Sequence, residues 1–535
     1  MVLKRISPNV AQKTLRVLLW AAALVLVFRL YTWGISQNPR GFCLDESGTA
    51  YNAYLVSRTG AGESGVRFPL FFPDFAVSNP TYIAPLTIYL LAIVFRFVHP
   101  SIPVARSFAA FWMFAACLLL GVLAKQISGQ RKIGIIVAGS ALLTPWLFEN
   151  GRLAWDPHFT AFTVALFLLA AYRTQSKEAW HWKDIAMLAG SLAVVTYGYG
   201  AGRVLAPLFA LGLLFLATTK RRLLGVVKTW LAYGITLVPI ILFNRSHPGQ
   251  LAKRLYEVSY IRPGAPWKQI QDIVPEFVRR YLEDQNLTSL LLMGDRYTRH
   301  HLPGSGAPML FASFVLAMIS LGLIIAWRRR DPWWRFVVYG LAVSIVPNAI
   351  TNQPFHQLHL MGYAVFLLVL TIPALEWLLA RNEPKQIAYG TSKEGYGGGL
   401  DRAAAVSYGV SRPIKLGVLG ILLAATVAQA TDFQVSFRRK EPERVNEFDV
   451  LYKPLYDAAV AQPQRPIYLE NGHWGPAYIH AFWYATVEGR PLSQFVRLPD
   501  GTKPPSGAIV LSSNPDCQNC QVIQRSGCYL LYRAK

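Results

Sequence analysis

Two acidic residues stand side by side at Asp45-Glu46, within Gly41-Phe42-Cys43-Leu44-Asp45-Glu46-Ser47-Gly48-Thr49-Ala50-Tyr51. A third, Asp156, closes an Arg-x-x-x-Asp run inside Glu149-Asn150-Gly151-Arg152-Leu153-Ala154-Trp155-Asp156-Pro157-His158. A carboxylate beside a neutral hydroxyl can take its proton and make it a nucleophile. An arginine close by can meet a phosphate. Each residue has a plainer reading too. Asp156-Pro157 also suits a helix start, with Asp as the cap and Pro in the first turn. Single arginines at a membrane surface are often anchors that reach toward water.

Position raises the stakes for these residues. The pair Asp45-Glu46 follows an apolar segment, 15–34, long enough to cross a bilayer. Lys4, Arg5, Lys13 and Arg16 precede or open that segment, so the N-terminus is expected in the cytoplasm and the pair on the outer face. The segment is too long for a signal-peptide core and lacks a small-residue cleavage site, so it is read as retained. The 535 residues are 53% hydrophobic and only 15% charged, which excludes an ordinary soluble class and fits a polytopic membrane protein. The net charge of +24 then reads as Lys and Arg in cytoplasmic loops rather than as a nucleic-acid footprint.

Apolar runs cover 15–34, 82–98, 104–124, 133–148, 158–172, 185–200, 203–218, 227–243, 308–327, 334–350, 357–380 and 414–430. If 82–98 does not cross, one face collects Lys125, Arg131 and Lys132, then Arg173, Lys177 and Lys183, then Lys220, Arg221, Arg222 and Lys228, then Arg328, Arg329, Arg330 and Arg335. Arg381, Lys385, Lys393, Arg402, Arg412 and Lys415 follow on the same face, and the opposite short loops hold only Arg152 and Arg203. That asymmetry makes 82–98 an outer re-entrant or surface helix and leaves about eleven crossings, with the C-terminus outside. Long outer segments are expected at 35–103, 244–307 and 431–535, and a Gly-rich cytoplasmic linker at 390–400.

The tail 431–535 changes character. Pro466-Ile467-Tyr468-Leu469 and Ala508-Ile509-Val510-Leu511 read as strands around a helix-like stretch 477–486, so a small α/β outer domain is expected. A disulfide among Cys517, Cys520 and Cys528 suits an oxidising compartment, with the pairing open.

Taken together, these features resemble the protein O-mannosyltransferase and aminoarabinose transferase superfamily, glycosyltransferase family 39 enzymes of the GT-C fold. The resemblance rests on an Asp-Glu pair after the first span, a long outer loop, and the outer Arg152-x-x-x-Asp156 loop. Ala105-Arg106-Ser107, Thr196-Tyr197, Arg203-Val204-Leu205-Ala206-Pro207, Arg328-Arg329-Arg330-Asp331 and Asn352-Gln353-Pro354-Phe355-His356 add to it, over roughly residues 10–430. It implies an all-α, GT-C-like membrane domain over 1–430 ahead of the α/β tail domain. It further implies a multi-pass protein of a bacterial plasma membrane. Such an enzyme takes a sugar from a polyprenyl-phosphate carrier and passes it, with inversion, to an acceptor hydroxyl or amine of a protein, lipid or glycan on the outer face.

By position Asp45 matches the family's catalytic acid and expected base, Glu46 its neighbour, and Asp156 the second outer acid. Arg152, Arg203, Arg58, Arg67, Tyr82 and His158 are expected around the substrates. One departure stands out. Many members carry Lys-Pro-Pro-Leu before the surface helix, with the Lys near the carrier phosphate; here the stretch is Ile83-Ala84-Pro85-Leu86. His356 and His359, at i, i+3 spacing, are candidates for phosphate contact. Hydrogen-bonding residues at a water-lined cavity are preferred to a metal site there, because no ligand spacing is diagnostic, so no cofactor is assigned. Thr196-Tyr197-Gly198-Tyr199-Gly200 looks like a potassium filter, but nothing suggests the pore helix and fourfold assembly a filter needs. The alternatives are a transporter or lipid-linked-sugar flippase, which would place ionisable groups near the midplane of repeated halves, and a non-catalytic envelope assembly protein.

Overall fold

The computed structural model describes residues 8–535 apart from 76, 78–79, 265, 381–409, 473–474, 500 and 518. The expected Gly-rich linker lies outside the described residues. The helical body runs α1 (Pro8–Tyr31), α2 (Leu44–Thr59), α3 (Pro85–Phe97), α4 (Ile102–Ser128), α5 (Arg131–Leu143), α6 (Pro145–Asn150), α7 (Phe159–Gln175), α8 (Trp182–Gly198) and α9 (Gly202–Gly212). It continues with α10 (Lys220–Ser246), α11 (Gln250–Val258), α12 (Ile270–Glu283), α13 (Phe311–Leu323), α14 (Pro332–Val343), α15 (Val346–Ala349), α16 (Met361–Leu379) and α17 (Arg412–Arg439). Six described helices are long and apolar enough to cross a membrane, the pattern of a multi-pass membrane protein: α1, α4, α10, α13 with its continuation to Arg328, α16 and α17.

α16 is buried along almost its whole length, which explains why its sequence is apolar on every side. α4 and α5 cross where Gly121 and Gly134 face each other. A Cβ on either would come within 2.7 Å of the other's carbonyl oxygen. Small residues at such a crossing let two backbones meet where lipid offers no hydrophobic drive. α3 has 13 residues, about 20 Å of rise, too short for a hydrocarbon core of about 30 Å. It packs on α2 and α8 instead of running as an independent span.

α17 ends in a 3-10 stretch, Glu441–Phe448, that leads into the tail. Here α18 (Tyr452–Ala461) and α19 (Tyr478–Val487) cover one five-stranded sheet. A two-residue ribbon precedes it in the loop between α2 and α3, β1 (Phe72–Pro73) against β2 (Tyr82–Ile83). The sheet strands are β3 (Ile467–Glu470), β4 (Phe495–Arg497), β5 (Ile509–Ser512), β6 (Cys520–Ser526) and β7 (Tyr529–Ala534), in the order β4-β3-β5-β7-β6. β3 runs parallel to β4 and β5, and β7 antiparallel to β5 and β6. The fold is thus a polytopic helical body with a small C-terminal sheet domain. Cys517 pairs with Cys520, leaving Cys528 free.

The tail is packed onto the helix that carries Asp45. Phe42 stacks on Trp483 at 5.2 Å, and Ser47 Oγ lies 2.9 Å from His480 Nδ1. His480 in turn lies 3.2 Å from Asp449, whose other oxygen accepts from the Tyr529 hydroxyl. Ser47 and His480 are fully buried, so this chain latches two parts of the molecule together.

Candidate active site

α2 opens with its acids in the first turn, where the helix dipole favours negative charge. Its first turn separates the two neighbours sharply. Glu46 is fully buried and paired with Arg106 in a two-pronged bond, Nε–Oε1 2.8 Å and Nη2–Oε2 2.7 Å. It also accepts the backbone N–H of Ala154 at 3.0 Å and of Cys43 at 3.3 Å. Arg106 donates its remaining N–H groups to the carbonyls of Ile35, Pro39 and Gly41. Both charges are therefore paired and hydrogen-bonded, as burial requires. Asp45 points the other way. Its carboxylate is 40% exposed and accepts from Arg299 Nη1 at 3.0 Å.

Asp156 opens a short 3-10 turn, Asp156–His158, as its first residue, with Trp155 in the cap position. Its carboxyl takes the backbone N–H of Ala84, in the stretch just before α3. Burial pushes its carboxyl up to about 7, a shift opposed by the Ala84 bond and by Arg203 and reinforced by Asp45. A carboxylate that sequence reading missed completes the group. Asp74, just past β1, accepts from Thr81 Oγ1 at 3.1 Å while its own N–H bonds the Thr81 carbonyl. Burial and the nearby charges of Asp45 and Asp156 hold it well above the usual carboxylate range. Asp74 and Asp156 thus lie near enough to Asp45 to feel its charge, and burial and that charge favour holding protons on both. The signal for Asp74 was available only as an acid flanked by Phe71-Phe72-Pro73 in an outer loop.

Arg203, at the start of α9, sits by Asp156 and lies over the Phe71 ring at 4.7 Å. One of its N–H groups reaches the Leu251 carbonyl at 3.2 Å, and its Nε has no partner among the described residues. Phe71 stacks on Tyr197 at 6.1 Å. Tyr197 lines an apolar groove of about 470 Å³ with Phe68, Pro69, Leu70, Pro85, Leu86, Tyr89, Leu90, Thr236 and Pro239. A chain of contacts therefore links Tyr197 at the groove, through Phe71, to Arg203 and Asp156.

The other expected residues lie elsewhere. Arg152 is buried beneath the end of α1, giving N–H groups to the carbonyls of Tyr31, Trp33 and Asn38. Arg58 is exposed and 13 residues along α2 from Asp45, about 20 Å away by helical rise. Arg67 is also exposed. Tyr82 packs on Phe243 and His247, and His158 fills an aromatic pocket with Phe108 and Phe159. His356 and His359 stack at 4.2 Å, and Tyr199 joins His359 to the acid cleft. Burial, then neighbouring imidazoles, hold both rings below the usual range, His359 at about 4. Neutral rings would meet a phosphate as hydrogen-bond donors rather than as cations.

A second buried carboxylate supports the segment carrying Arg299. Glu149 accepts from the Leu302 N–H at 2.9 Å and lies 2.6 Å from His301 Nδ1. Arg444, from the stretch leading into the tail, gives an N–H to the Arg299 carbonyl at 2.8 Å. The tail thus helps place the partner of Asp45.

No protein-family model and no curated protein sequence matches the chain. Solved structures do. ArnT from Cupriavidus metallidurans in the apo state aligns over 96% of this chain and 97% of its own, at 14% identity and a TM-score of 0.54. The same protein bound to undecaprenyl phosphate aligns over the same shares, at 11% identity and a TM-score of 0.51. The archaeal oligosaccharyltransferase AglB from Archaeoglobus fulgidus covers 88% of this chain and 64% of its own, at 12% identity. Its TM-score of 0.48 is below the level that shows a shared fold. At such identities the likeness concerns architecture alone, and it covers 96% of the chain: the chain has the GT-C fold.

Proposed function

We propose that this protein transfers a sugar from a polyprenyl-phosphate carrier to an acceptor on the outer face of the membrane. The observation that carries the reading is the chain of contacts from the apolar groove, through Tyr197 and Phe71, to Arg203 beside the acids. The groove suits a prenyl chain. Arg203, with an unpaired N–H, suits the phosphate that gathers charge as it leaves. That one solved ArnT structure holds undecaprenyl phosphate supports the same class of carrier.

In this reading the acceptor O–H or N–H attacks the anomeric carbon on the face away from phosphate. The bond from carbon to phosphate oxygen breaks, and the polyprenyl phosphate departs as an anion. Asp45, the exposed acid, takes the acceptor proton. Arg299 orients Asp45, while Asp156 and Asp74 bind acceptor polar groups and share protons across the cleft. Glu46 and Arg152 act as positioning residues, since the first fixes the start of α2 and the second the end of α1. Asp45 to phosphate is then a one-carboxylate mechanism, because a phosphate leaves without being protonated.

The test is a panel of radiolabelled polyprenyl-phosphate sugars incubated with the protein in lipid. Wild type should consume one donor and release the carrier phosphate, and Asp45→Asn should not. Equal turnover by Asp45→Asn would overturn the assignment of the base. No donor consumed by folded wild type would count against the transferase reading.

A further inference from the structure

We propose that Asp295, His300 and His356 hold a divalent transition-metal ion of the zinc class. One donor atom from each lies within 4.8 Å of the others. All three are nearly sealed from solvent, at 4%, 7% and 6% exposure. The His300 and His356 rings approach to 4.5 Å between centroids. His356 Nδ1 is buried and has no hydrogen-bond partner among the described residues. A buried polar atom left unpaired is costly, and a metal bond removes that cost.

An Asp–His hydrogen bond alone accounts for Asp295 and His300, which lie 3.0 Å apart. It leaves unexplained why a third donor with a bare nitrogen is packed against them. Two imidazoles and one carboxylate make a borderline N/O set, suited to zinc and its transition-metal neighbours rather than to magnesium or calcium. The carboxylate is already oriented by protein: Asp295 Oδ1 accepts the Tyr297 N–H at 2.9 Å and Oδ2 the Gln357 N–H at 2.8 Å. Such outer hydrogen bonds are what hold metal ligands in place. Zinc bonds of about 2.0–2.1 Å would draw tetrahedral donors to about 3.3 Å, a contraction on the order of 1 Å.

The consequence reaches the acid cleft. Arg299 precedes His300, and its guanidinium pairs with Asp45. A metal joining Asp295 and His300 to His356 would clamp the segment that presents Arg299. Metal binding itself does not rest on the transferase reading; only this consequence does.

The test uses the full-length protein in detergent or nanodiscs, loaded with zinc sulfate and then dialysed. Metal content by mass spectrometry should give about one zinc per chain in wild type. Competition with a chromophoric chelator should show His356→Gln and Asp295→Asn weakened by about tenfold or more. His99→Gln, an exposed histidine elsewhere, should keep full occupancy. Folded wild type that takes up no zinc overturns the proposal, whatever the variants do. So does full zinc retention by both ligand variants, which would place the metal elsewhere. Cobalt-loaded wild type should show visible absorption that His356→Gln lacks.

Discussion

Asp45 and Glu46 are adjacent, equally charged and oppositely placed, so removing each charge should do opposite things. Glu46→Gln keeps the shape but turns an acceptor into an amide N–H pointing at the Arg106 donors. Glu46 has no exposed surface and accepts four hydrogen bonds, two of them from a fully buried Arg106. Removing one partner of such a pair typically costs about 3–5 kcal/mol. Asp45→Asn loses one bond to Arg299 at a site 40% exposed, worth about 0–1 kcal/mol. Function should invert the ranking. Loss of a general base costs roughly 10²–10⁴-fold in turnover, so Asp45→Asn should be stable and inactive. Glu46→Gln should unfold earlier in thermal scans yet keep measurable turnover in whatever fraction remains folded. The assay pairs intrinsic-fluorescence melting in detergent with donor turnover normalised to folded protein. A stable but inactive Glu46→Gln, or an unstable Asp45→Asn, would refute the assignment of positioning and catalytic roles.

Asp156 predicts a pH dependence. Its carboxyl rises from 3.8 to about 7 on folding, so the folded state holds its proton more tightly than the unfolded one. That bias is about 4 kcal/mol undiscounted, and about 2 kcal/mol once water in the partly open cleft is allowed for. The contribution is full below about pH 4 and is lost as pH rises through about 7. Asp156→Asn should therefore gain melting temperature over wild type at about pH 8 but not at about pH 4; parallel curves would count against the buried, protonated acid. Arg203→Met keeps the stem over Phe71 but loses the charge, and should weaken binding of polyprenyl phosphate by about 10-fold or more; unchanged affinity would remove Arg203 from the phosphate site. Leu90→Trp narrows the groove and should raise KM for long-chain carriers while sparing short-chain analogues, and an equal effect on both would show that the groove does not hold the chain.

Hydropathy made the multi-pass helical character legible, because a span must satisfy its backbone internally and show an apolar run. The short run 82–98 was read as lying off the membrane path, and α3 has the length for that. The tail's strands and helix stood where alternation and the mixed stretch put them, within a residue or two: β3, α19 and β5. Asp45 and Asp156 were visible as acids at the ends of apolar runs. Their partnership with Asp74 and Arg299 was not. Arg299 lies 254 residues from Asp45, Arg106 lies 60 from Glu46, and Ala154 lies 108 from it. Periodicity reports only neighbours a turn or a strand step away, so it cannot tell which of two adjacent acids will meet a distant arginine in the interior. The sequence showed that acids and arginines stand at the ends of apolar runs. Only tertiary packing decided that Glu46 turns inward to bind Arg106, that Arg152 holds the end of α1, and that Asp45 stays exposed beside Arg299. Burial forces a charge to find its partner, and the fold alone determines which partner is within reach.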